Sequence, residues 1–95
     1  MTRYQIKGYD GSYVDEPLKV VYRKTVTSFD VADKVGRELA DMLADVYGCS
    51  YVEIIEKNDG AFNNIIEEID GCYAANKSFD KEKLNRMVKE LTGNV

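Results

Sequence analysis

Val31, Val35, Leu39, Met42, Leu43 and Val46 recur at steps of three and four residues, and no other feature of this chain constrains its fold as tightly. That spacing lines one side of an α-helix with apolar side chains. A helix over Val31–Tyr47 therefore needs an apolar surface to lie on. Ser28 or Asp30 stands where a side chain can cap its first amides, Asp33 suits the positive first turn, and Gly48 supplies the stop.

The surface is read as a small antiparallel sheet. Arg3–Lys7 alternates, with Tyr4 and Ile6 on one side and Arg3, Gln5 and Lys7 on the other. Leu18–Thr27 is rich in β-branched residues, and Leu18, Val20, Tyr22 and Val26 share a face with Lys24 as the exception. The two strands are expected to pair across the turn-rich Gly8–Tyr13 segment, where Asp10-Gly11 favours a tight turn and Asp15-Glu16-Pro17 interrupts pairing. Ser50–Lys57 reads as a third strand, ended by Asn58-Asp59-Gly60. Phe62, Ile65, Ile66, Ile69 and Tyr73 keep a helical period, which predicts a helix there despite Asn63-Asn64 and Gly71. Leu84, Met87, Val88 and Leu91 form the stripe of a last helix, with Asp80 as its cap, Phe79 to Leu84 as a hydrophobic staple and Gly93 as its end. The expected fold is α+β, in the order β-β-α-β-α-α: about three strands packed on an amphipathic helix, with two C-terminal helices.

Residues 1–95 suffice for a single globular domain, which at this size buries roughly 60–70% of its unfolded surface without a crosslink. No apolar run approaches the ~20 residues of a membrane span, and the opening MTRYQIKGYD lacks the apolar stretch of a secretion signal. The expectation is a soluble cytoplasmic protein. Cys49 and Cys72 stand apart without a CxxC motif, and are read as reduced, packed thiols. Whether they can bridge depends on their separation in space.

The chain has no histidine. That excludes Ser-His and Cys-His nucleophile pairs and removes the commonest transition-metal ligand. Two isolated cysteines cannot build a four-thiolate zinc site, and no phosphate-cradling glycine motif is present. No catalytic, cofactor or metal site is assigned. Carboxylates alone can still hold magnesium or act as an acid pair, so a carboxylate-metal hydrolase is the alternative from the enzyme class.

Charge carries the functional reading. Asp30–Asp70 holds eleven acids and three bases, whereas each flank holds five bases and three acids. A one-signed patch of this kind speaks to a partner more than to a fold. On the helix, Asp33, Arg37, Asp41 and Asp45 form one i, i+4 row, with Asp30, Lys34 and Glu38 beside it. Four helical residues advance ~6 Å, near the spacing of phosphates along a nucleic-acid strand. The plain alternative is that the acids only keep the surface solvated.

The expected partner surface is Asp33, Glu38, Asp41, Asp45, Glu53 and Glu56, joined by Tyr9 and Tyr13 as loop tyrosines suited to an interface. The expected partner is a basic protein, a nucleic-acid-binding enzyme, engaged by mimicry of its substrate. Direct nucleic-acid binding by the acidic face is disfavoured, and no membrane contact is expected. The competing reading is an accessory subunit with an apolar interface. No stretch matches a family signature. In size, acidity and lack of catalytic residues the chain resembles the short acidic α+β proteins of phages and mobile elements, which include anti-CRISPR and anti-restriction inhibitors. That resemblance implies a non-enzymatic inhibitor and assigns no residue.

Overall fold

A computed structural model describes residues 2–11, 19–58, 63–72 and 80–93. Its elements run β1 (Arg3–Tyr9), β2 (Val20–Val26), α1 (Phe29–Tyr47), β3 (Cys49–Lys57), β4 (Asn63–Cys72) and α2 (Lys81–Thr92). The sequence features at Tyr13, Asp15-Glu16-Pro17, Leu18, Gly60, Phe62, Tyr73 and Phe79 lie outside the described residues. The class is α+β as expected, with four antiparallel strands in the order β2-β1-β3-β4.

The first hairpin forms as its alternation demands. Ile6 is buried, and Tyr22 and Val26 of β2 are buried on the same side. β1 continues through Gly8 and Tyr9, past the expected strand end. Gly8 is there to let α1 approach, because a Cβ would stand 2.7 Å from Leu39 Cδ2. Asp10 closes the hairpin through its own N–H on the Lys19 carbonyl and through Oδ1, which accepts from the Lys19 N–H at 2.9 Å.

Ser28 caps α1 by accepting from the Val31 N–H, and Gly48, at φ 83°, ends it with its N–H on the Ala44 carbonyl. Val31, Val35, Leu39, Met42 and Leu43 meet Ile6, Val52 and Ile54 of the sheet in one core. The apolar period runs to Val46 in sequence, but burial stops at Ala44. Ala40 already lies over Ser50, near the start of β3, so the last turn overruns the sheet. Val46 is 51% and Tyr47 45% exposed. α2 is capped by Asp80 and sends Leu84 and Val88 into the same core.

The stretch expected as the middle helix is strand β4. Among the described residues the order is therefore β-β-α-β-β-α, with two helices rather than the expected three. Two physical reasons decide this. Asn63, Asn64 and Gly71 are poor helix formers, while Ile65, Ile66 and Ile69 suit a strand. A register shift between Ile54 and Ile55 then disturbs the two-residue alternation. Ile65 faces Ile55 on one face of the sheet and Ile69 faces Val52 on the other, so the isoleucines keep a three- and four-residue spacing inside a strand.

α1 runs along β4 in the same direction. A Cβ on Gly36 would lie 3.2 Å from Ile69, and one on Gly71 would lie 2.8 Å from the Ala40 carbonyl oxygen. Both helices lie on the face defined by Ile6, Val52 and Ile54. The alternate positions Lys7, Tyr9, Tyr51, Glu53 and Ile55 define the far face.

Candidate functional site

β4 is an edge strand among the described residues, and it gathers carboxylates on both of its faces. On the helix face Glu67 lies opposite Ile54 and reaches α1. Its carboxyl hydrogen-bonds that of Asp33, and this contact, then burial, then the Asp33 charge hold the Glu67 carboxyl above the usual range, while Arg37 pulls it down. Arg37 Nε donates to Asp33 Oδ1 at 3.1 Å. Arg37 Nη2 stands 3.8 Å from Glu67 Oε1, too far for a hydrogen bond, and that buried oxygen has no hydrogen-bond partner among the described residues.

On the far face Glu53 and Glu68 are directly opposite across the β3–β4 ladder. Like charges in that position repel. Two tyrosines offset the repulsion. Tyr9 Oη donates to Glu53 Oε1 at 2.7 Å, and Tyr51 Oη lies 3.0 Å from Glu53 Oε2 and 2.5 Å from Glu68 Oε1. Tyr51 has a single hydroxyl hydrogen, so it serves both carboxylates by sharing it. The rings of Tyr9 and Tyr51 are 5.5 Å apart. Burial first, then the bond to Glu53 and its charge, push the Tyr9 phenol up to about 12, against a smaller pull from Arg23. Burial and the bonds to Glu68 and Glu53 push the Tyr51 phenol up as well. Asp70 follows on the same face, opposite Tyr51.

The expected surface is divided by this fold. Tyr9 and Glu53 come together on the far face, and Glu53 is only 9% exposed. Asp33, Asp41 and Asp45 are half-buried on α1, with the sheet between them and Glu53. Glu38 points to α2, where Lys83 Nζ donates to it at 3.3 Å. Glu56 lies at the other end of β3, opposite Tyr4 and Asn64, and accepts from Asn58 Nδ2 at 3.1 Å. Tyr13 is outside the described residues. Glu67, Glu68, Asp70 and Tyr51 lie outside the expected surface. Their signal is simple once the stretch is a strand, because Glu68 and Asp70 then share a face with Glu53 and Tyr51.

No family model, no curated protein and no solved structure matches this chain. The acidic edge must be interpreted from its own geometry. Among the described residues no three His, Cys, Asp or Glu side chains converge to hold a metal ion, and no helix is long and apolar enough to cross a membrane. The shallow depression on the far face, lined by Lys7, Arg23, Glu53, Ile55, Lys57 and Ile65, carries both signs of charge beside two isoleucines.

Cys49 corrects a further expectation. It is an exposed, free thiol rather than a packed one. It opens β3 directly after the Gly48 stop, on the far face of the sheet with Tyr51, away from α1.

Proposed function

We propose that this protein is a non-catalytic protein-binding module whose acidic β4 edge docks on a basic surface, of the kind with which a nucleic-acid-processing enzyme holds its substrate. It would thereby inhibit or regulate that enzyme. The observation that carries the reading is the pairing of like groups around one strand: Asp33 against Glu67, and Glu53 opposite Glu68. Juxtaposed carboxylates destabilise a fold unless something compensates. Of these groups Glu68 is exposed on the edge strand, with exposed Asp70 beside it, and this supports use in recognition. A cationic partner relieves the repulsion on binding, so part of the cost in the free protein returns as affinity.

The test is a pull-down from cell extract at low and high salt, run with the natural chain and with a Glu68→Lys, Asp70→Lys variant. The reading expects a basic nucleic-acid enzyme to be retained at low salt, released at high salt and absent from the variant. An identical retained set for both chains contradicts it.

An accessory subunit with an apolar interface is the second reading. It is favoured by Ile65 and Ile66, adjacent on β4 and 52% and 42% exposed. That partner would stay bound at high salt and be lost on Ile65→Ser, Ile66→Ser substitution.

A further inference from the structure

We propose that Cys49 and Cys72 form a reversible redox site, a cross-strand disulfide that closes the open end of the β3–β4 ladder. The inference does not depend on the binding role proposed above. It starts from register. The chain has two cysteines, and the fold makes them Cα partners on neighbouring antiparallel strands. Directly opposed residues in such a ladder have Cα atoms about 4.5 or 5.5 Å apart, depending on whether the pair is hydrogen-bonded. Both separations fall within the ~4.4–6.8 Å range of disulfides.

Packing fixes this register from outside the ladder. The next pair inward is Ser50 and Gly71. Ser50 is buried, and its hydroxyl donates to the Ala40 carbonyl of α1 at 2.7 Å. A Cβ on Gly71 would collide with Ser50 Oγ and stand 2.8 Å from the Ala40 oxygen. A slip of β4 by one residue would bring Asp70 or Cys72 into this space, where no side chain fits. The helix therefore holds the two cysteines opposed, although they are distant in sequence.

The chemistry needs an oxidant, and a low-molecular-weight disulfide such as oxidised glutathione provides it. Cys49 is exposed, so its thiolate attacks one sulfur of the oxidant and expels one reduced thiol. The Cys72 thiolate then attacks the Cys49 sulfur of the mixed disulfide and expels the second thiol. Two protein S–H bonds and the oxidant's S–S bond are exchanged for one protein S–S bond and two small thiols. The product ties edge strand β4, with Glu68 and Asp70, covalently to β3.

The full chain is incubated with oxidised glutathione, alkylated with iodoacetamide and weighed intact, then digested and mapped. The expected product is a monomer lighter by two hydrogens, alkylated at neither cysteine, containing a Cys49–Cys72 linked peptide and reverting with dithiothreitol. Its far-ultraviolet circular dichroism matches the reduced form and its Tm is higher, because the crosslink joins residues already opposed. Cys72→Ser, unable to complete the second step, keeps one glutathione on Cys49. A lasting glutathione adduct on the natural chain, intermolecular dimers as the product, or an oxidised form that melts below the reduced one overturns the proposal.

Discussion

Glu53 and Glu68 face each other across the β3–β4 ladder, and the hydroxyl of Tyr51 stands between them, within hydrogen-bonding distance of both. Tyr9 supplies a second donor to Glu53 on the same face. Tyr51→Phe leaves the two carboxylates opposed without the Tyr51 hydroxyl and should destabilise the fold by about 1–3 kcal/mol. Adding Glu68→Gln should recover part of the loss, because the repulsion is then removed. Urea denaturation of the single and double variants measures both effects, and strictly additive losses would show that the two residues are not coupled.

Glu67 gives a pH dependence of defined sign. Its folded-state value is raised above 4.5, chiefly by the hydrogen bond with Asp33. Its contribution to stability is therefore fully present below the ordinary carboxylate range and is lost as pH rises through the folded value. Glu67→Gln keeps a donor for Asp33 and carries no charge. The variant should melt higher than the natural chain at neutral pH, by roughly 2–6 °C, and the gap should close at about pH 4. Thermal melts across that interval check it.

At the alkaline end, Tyr9 is the group to follow. Its phenol is raised to about 12, so its contribution is complete below its ordinary value of 10.0 and is lost as pH rises through about 12. Absorbance at the phenolate band should show a Tyr9 fraction rising at about pH 12, together with loss of structure and ahead of Tyr51, whose phenol is held higher still. Tyr9→Phe should remove the fraction at about pH 12 and leave that of Tyr51.

The two close-approach glycines should differ. A Cβ at Gly8 meets the ends of the Leu39 and Leu43 side chains, which can shift, so Gly8→Ala should cost about 1 kcal/mol. A Cβ at Gly71 meets the Ala40 backbone and the bonded Ser50 hydroxyl, so Gly71→Ala should cost about 2–3 kcal/mol. Denaturant midpoints rank the pair, and equal costs would mean that α1 can move away from β4.

The elements that read cleanly from sequence are those whose period matches one geometry. α1 announces itself by its apolar stripe, its Ser28 cap and the Gly48 stop, and β1 by its alternation around Ile6. β4 does not, because the register shift beside Ile55 gives Ile65, Ile66 and Ile69 a helix-like spacing. That spacing hides the site. Asp33, Glu53 and Tyr9 are legible as candidates in the sequence, whereas Glu67 and Glu68, which meet Asp33 and Tyr51, fall within the stretch with the helical period. Glu38 also looked like part of the acidic row, and only the packing of α2 shows that Lys83 reaches it. The pairing of Cys49 with Cys72 was hidden for the same reason, since it exists only if both ends of the 49–72 segment are strand.

The most direct measurement of the acidic edge is the Kd for the captured basic partner, titrated at two ionic strengths with the natural chain and with Glu68→Lys, Asp70→Lys. The account predicts weaker binding of the natural chain as salt rises, and an affinity loss of about tenfold or more in the variant at low salt, with a flatter salt dependence. Equal Kd values for the two chains, unchanged by salt, would contradict it.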